Sequence, residues 1–245
     1  MRNVLRTTAS LLLSTMFTLA AVSQGTSGQG HWVSAWSTAV HTPRSGPGAP
    51  PAQAFENQTI RMVIRPTIGG DRLRIRLSNE FGTVPLVIGS AHVALVKENG
   101  TIVPESDRRL TFNGEASVNI PVGGPILSDA VDLKVPALTE VAVSIFLPKE
   151  TAPATYHLLG QHPSYISEPG DFTGSEKFSS ARDVNSWFFL SDVEVWSRGN
   201  TAAIVTLGDS ITDGFGAKAQ YGDWPNKLAE RLAAGKNAPT RIQET

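Results

Sequence analysis

The sequence predicts a mainly β domain of sandwich or jelly-roll type over residues 24–198, followed from 199 to 245 by the opening strand and helix of a parallel α/β sheet. Three observations predict it. Apolar and polar residues alternate over much of residues 31–198, the period of a half-buried strand. The 22 glycines and 16 prolines among 245 residues suit short strands joined by turns better than long helices. From Ala202 to Leu207 the alternation gives way to a continuous apolar run ending in Gly208-Asp209-Ser210, the texture of a strand buried on both faces.

Residues 1–23 stand apart from the rest. Arg2 and Arg6 precede the charge-free run Leu11–Ala20, and small residues follow at Ala21-Val22-Ser23. Basic start, short apolar middle and small-residue exit describe a secretory signal cleaved after Ser23, so the mature chain begins near Gln24. A membrane anchor is the competing reading, but the apolar part is about half of the roughly 20 residues that span a bilayer. The expectation is a secreted or periplasmic protein with no stable membrane insertion after cleavage.

In the body, Ile60, Met62 and Ile64 alternate with Arg61, Val63 and Arg65. After Ile68-Gly69-Gly70-Asp71, the residues Leu73, Ile75 and Leu77 alternate with Arg72, Arg74 and Arg76. Two such runs around a Gly-Gly-Asp turn predict a β-hairpin with one buried face. The arginines then share the other face, which is either a solvated exterior or a site for anionic head groups. Further strands are expected at Val84–Ile88, Ala91–Lys97, Ser117–Ile120, Val131–Val135, Val141–Leu147 and Trp187–Trp196. The polar segment Gly160–Arg182 reads as a long loop.

Past Gly199-Asn200 the run at 202–207 leads into a turn and then a helix. Asp223 is its cap, Pro225 lies in its first turn, Leu228 and Leu232 share a face, and Gly235 stops it. Strand, turn and helix open a parallel α/β sheet, whose ligands bind at the carboxyl ends of strands, where Asp209 and Ser210 fall. A serine at such a corner, near a positive helix end, offers an attacking hydroxyl together with a backbone N–H for an oxyanion. The plainer alternative is a Gly-Asp-Ser turn that caps only its own backbone.

Gly208-Asp209-Ser210-Ile211-Thr212-Asp213-Gly214 resembles the first block of the SGNH hydrolases, also called GDSL esterases and lipases. The opening Trp32-Val33-Ser34-Ala35-Trp36-Ser37 and the β-rich region resemble the amino-terminal part of a secreted, two-domain, arylesterase-like subgroup. The resemblance implies a flavodoxin-like hydrolase domain in which Ser210 is the nucleophile and an oxyanion donor, and Asp209 supports the turn. It implies no metal or organic cofactor. The substrate would be a small-molecule or polysaccharide ester bearing an acyl, acetyl or aryl group.

The family's oxyanion Gly and Asn and its Asp-x-x-His all lie downstream of the serine. Only 35 residues follow Ser210, none of them histidine. A strand–helix unit takes about 30 residues and a five-stranded parallel sheet roughly 150. The expectation is therefore a fragment of a longer enzyme, inactive on simple esters alone and exposing a sheet edge. His31, His41, His92, His157 and His162 are the available imidazoles, and His157 and His162 lie on a segment long enough to approach the serine.

Composition narrows the competing classes. With 21 basic and 22 acidic residues the net charge is −1, which disfavours a nucleic-acid surface. The absence of cysteine removes disulfides, thiolate nucleophiles and Cys-ligated metals. Two alternatives to the esterase stand. One is a non-catalytic carbohydrate-binding module using Trp32, Trp36, Trp187 and Trp196. The other is a phosphohydrolase holding Mg²⁺ between Asp209 and Asp213.

Overall fold

The computed structural model describes residues 30–43, 46–47, 54–152, 155–176, 179–198, 201, 203–217, 220–235 and, for the backbone alone, 242–244. The expected signal sequence and the expected boundary at Gly199-Asn200 lie outside the described residues.

The early strands are β1 His31–Ser37, β2 Gln58–Ile64, β3 Gly70–Ser78, β4 Leu86–Ile88, β5 Ser90–Glu98 and β6 Thr101–Ile102. Next come β7 Arg108–Arg109, β8 Val118–Ile120, β9 Pro125–Leu127, β10 Val131–Val135, β11 Val141–Leu147 and β12 Tyr156–His157. The last are β13 Ser164–Pro169, β14 Ser180–Val184, β15 Trp187–Phe188, β16 Leu190–Ser197, β17 Ile204–Thr206 and β18 Ile242–Glu244. The α-helix α1, Trp224–Ala234, lies between β17 and β18.

Two curled antiparallel sheets make the body. One runs β1-β16-β3-β10 with β9 also on β3; the other runs β14-β13-β2-β11-β5-β6 with β7 also on β5. Ile60, Met62 and Ile64 from β2, Val143 and Ile145 from β11, Leu73, Ile75 and Leu77 from β3 and Val193 from β16 bury one face of each sheet in a common core. This is the sandwich arrangement in which each strand's alternation supplies one inward set.

The expected hairpin does not form, because β2 and β3 lie in different sheets. Residues 65–69 instead carry the chain from one layer to the other, with Thr67 N–H bonded to Ala35 C=O (2.8 Å) and Ile68 buried. A Cβ on Gly69 would stand 2.9 Å from Val135 O, and one on Gly70 2.6 Å from Trp196 O. Glycine is needed there for close approach rather than for a tight turn. Alternation reports that one face of each strand is buried; it does not say which strand lies beside it, so the pairing does not follow from it.

The arginines consequently part company. Arg61 is fully buried, under residues 172–175, and donates to Ser144 Oγ (2.9 Å) and to the carbonyls of Gly100 (3.0 Å), Thr173 (3.3 Å) and Ser175 (2.7 Å). Desolvation lowers its pKa to about 10, with Asp107 opposing. Arg74 bonds Glu194 (2.6 Å) and lies 4.3 Å over the Trp32 ring. The expected loop 160–182 contains β13 and the start of β14, and the expected strand 187–196 is broken at Phe189, whose φ is +61°.

The α/β expectation is overturned. The molecule is 47% strand and 7% helix, and among the described residues no flavodoxin-like α/β unit is seen, although a β-rich domain fits the first part. β17 pairs in parallel with β18 over three positions, and the apolar run is not buried on both faces, since Val205 is 60% and Leu207 91% exposed. The helix lies where its capping residues predict, but it is held to the β body: Glu230 meets Arg65 at 2.9 Å. It also lies against β18, but a doubly wound sheet would put helices on both faces of several parallel strands, and among the described strands only β17 and β18 pair in parallel.

Candidate functional site

The turn after β17 is fixed residue by residue. Asp209 C=O accepts from the N–H of Thr212 (3.0 Å) and Asp213 (3.1 Å), and Asp209 Oδ1 accepts from Ile211 N–H (3.0 Å). Ser210 C=O accepts from Phe215 N–H at 2.8 Å. Gly214 has φ +87°, and a Cβ there would stand 2.9 Å from that of Asp223; only glycine meets both demands.

Ser210 sits at the exposed corner of this turn, and no described residue accepts a hydrogen bond from its hydroxyl. Leu207, Ile211 and Phe215 around it are 91%, 72% and 64% exposed. The expected positive helix end is elsewhere: α1 begins at Trp224, and Asp223 already caps its Asn226 N–H at 2.8 Å.

All five imidazoles are engaged away from Ser210. His31 Nε2 contacts Thr201 Oγ1 (2.5 Å) and His92 Nδ1 contacts the Asp107 carboxylate (2.9 Å). His41 Nδ1 lies 2.8 Å from Thr42 C=O, and its Nε2 accepts from Leu158 N–H. His162 stacks on Tyr221 with centroids 4.3 Å apart; burial drives its pKa down to about 4, Asp223 opposing and Arg65 assisting. His157 Nδ1 lies 2.8 Å from Ala39 C=O, while its Nε2 faces both Asp213 oxygens at 2.9 and 2.8 Å.

Asp213 is thus tied to the body and Asp209 to its own turn. Among the described residues no group of three or more His, Cys, Asp or Glu is placed to hold a metal ion. Of the four tryptophans expected of a carbohydrate-binding module, Trp36 and Trp187 are core residues in a T-shaped pair at 4.9 Å. Trp32 and Trp196 are half-buried on the outer face of the five-stranded sheet, 5.5 Å apart.

Sequence reasoning did not pair His157 with Asp213, 56 positions apart. It also missed Tyr221, whose hydroxyl donates to Glu140 (2.7 Å) and whose ring lies under Arg65 at 4.5 Å. No local pattern signals either, because each joins distant segments.

No family model matches the chain, and no curated protein matches it. Among solved structures, the clostridial cysteine protease Cwp84 after propeptide cleavage is similar at a TM-score of 0.36 and 15% identity. The match covers 59% of this chain and 38% of the protease chain. Among the described residues no helix is long and apolar enough to cross a membrane.

Proposed function

We propose that this chain carries the nucleophilic serine of an exported ester hydrolase of the SGNH type. Residues 1–23 act as its cleaved signal. Ser210 Oγ attacks the ester carbonyl carbon, the alcohol leaves, and water hydrolyses the resulting acyl-serine. Among the described residues no hydrogen bond joins any of the five imidazoles to Ser210, so the hydroxyl proton is taken by a base that free imidazole replaces in the test below. Exposed Leu207, Ile211 and Phe215 favour an ester with an apolar acyl or aryl group, free or carried on a polysaccharide. The observation that carries the reading is a serine hydroxyl without a partner among the described residues, at the exposed corner of a turn held by several backbone hydrogen bonds.

Chemical rescue tests it. Hydrolysis of p-nitrophenyl butyrate is measured with increasing free imidazole, which supplies a diffusible base, for the wild type and Ser210→Ala. The reading expects a Ser210-dependent excess that grows with imidazole, and fluorophosphonate labelling mapped to Ser210. Equal rates in both proteins at every concentration, with no label on Ser210, would overturn it. Retention on insoluble polysaccharide unchanged by Ser210→Ala would then favour a non-catalytic carbohydrate-binding module.

A further inference from the structure

The hydrogen-bond inventory around His157 leads to a second conclusion. The residue is only 8% exposed, and each ring nitrogen faces an oxygen that can only accept. Nδ1 faces the carbonyl of Ala39 at 2.8 Å, and Nε2 faces the carboxylate of Asp213 at 2.8 and 2.9 Å. A neutral imidazole has one N–H and one lone pair, so it can satisfy one of these acceptors but not both. Only the imidazolium donates in both directions.

The groups packed around the ring agree with that assignment. His41, from the segment after β1, presents its ring at 5.9 Å, and its Nε2 keeps a lone pair because it accepts from Leu158 N–H. Trp187 of β15 lies at 5.7 Å and Tyr156 adjoins within β12. Asp213 is the charged group that meets the ring. Burial opposes the imidazolium, but the bonds to Asp213 and Ala39 and the charge of Asp213 outweigh it, and the pKa of His157 is raised.

We propose that His157, in its doubly protonated form, is a positioning residue that latches the Ser210 turn to the β body through Asp213. When the ring loses one proton to solvent, a single N–H remains for two acceptors, so Asp213 loses the pull of the imidazolium charge and one of the two ties is given up; the latch loosens with one proton released. Asp213 follows Ser210 by three residues in a turn otherwise held by its own backbone and by the neighbouring Trp224 and Asp223. The latch therefore sets whether Ser210 stands fixed against the body or moves with a free loop. Its catalytic consequence rests on the proposed esterase reading; the latch itself does not.

The test uses the full chain and two readouts independent of ester hydrolysis. Amide hydrogen exchange over residues 208–216, corrected for intrinsic rates, is followed across pH 5–9 for wild type, Asp213→Asn and Ser210→Ala, and the His157 imidazole is titrated by NMR. The expected result is protection in wild type and Ser210→Ala that falls at least about fivefold as His157 titrates, a coupling of ordinary size. In Asp213→Asn, protection is low and flat with pH, and His157 titrates at a lower pH. β11 amides stay protected throughout, which shows that the body remains folded. Protection in wild type that is insensitive to pH, or equal to that of Asp213→Asn, overturns the latch. Imidazole-rescued hydrolysis in the same proteins separates the two conclusions. A pH-dependent latch without Ser210-dependent turnover sinks only the esterase, and turnover without the latch sinks only the present proposal.

Discussion

Arg61 shows how far a single residue can depart from its pattern. Alternation places it opposite Ile60 and Met62, and on a one-sided sheet that means solvent; here residues 172–175 fold over it and leave it fully buried. Its guanidinium is met by neutral oxygens, three carbonyls and a serine hydroxyl among them, within hydrogen-bond reach of a fork that supplies five donors. Arg61→Met should retain much of the packing volume but strand those acceptors. We expect it to destabilise the protein by about 3 kcal/mol or more, with each buried acceptor left unpaired costing roughly 1–3 kcal/mol. Arg72→Met, at an exposed ion pair with Asp132, should change stability by less than about 0.5 kcal/mol. Urea midpoints of the two variants compare them directly, and similar midpoints would show that the buried fork contributes little.

At the scale of elements, α1 lies against β18 and reaches the β body through polar side chains. Asp223 caps it through Asn226 N–H, Arg65 reaches Glu230, and Pro225, Asn226 and Ala229 are its buried residues. Asp223→Ala should therefore cost about 1 kcal/mol, the usual worth of such a cap. Hydrogen exchange should place the loss in residues 227–234, leaving β2 and β11 unaffected; equal loss in the strands would mean that helix and body unfold as one unit. This helix was readable from its cap, its proline and its terminal glycine, all of which are local. The strands were readable from alternation, whereas their assignment to sheets was not, because burial of a face does not name the partner. The turn at Ser210 was readable for the same reason as the helix. The tie from His157 to Asp213 was invisible because it joins segments 56 positions apart that share no motif.

For the whole molecule, His157 of β12 and His162 of the segment after it pull in opposite directions with pH. His162 is buried with Nδ1 unpartnered, and its folded pKa near 4 lies below the unfolded value of about 6.5. Between those values the unfolded chain binds the extra proton, so stability is lost as pH falls through that interval, by up to about 3 kcal/mol. His162→Phe should keep the stack on Tyr221 and flatten this acid limb; an unchanged slope of urea midpoint against pH from 6.5 to 4 would refute the assignment. His157, with its raised pKa, contributes stability that is complete below about pH 6.5 and is lost as pH rises through its folded value. The topology has a further consequence, in time rather than in energy. β16 lies between β1 and β3, and Ser34 of β1 bonds Asp192 of β16 across 158 positions. A ribosome adding about 5–20 residues per second needs on the order of ten seconds to travel that distance. Throughout that delay β1 has no neighbour to pair with, and the five-stranded layer cannot close. For that interval β1 stays an unpaired strand, open to any machinery that handles unfolded chains.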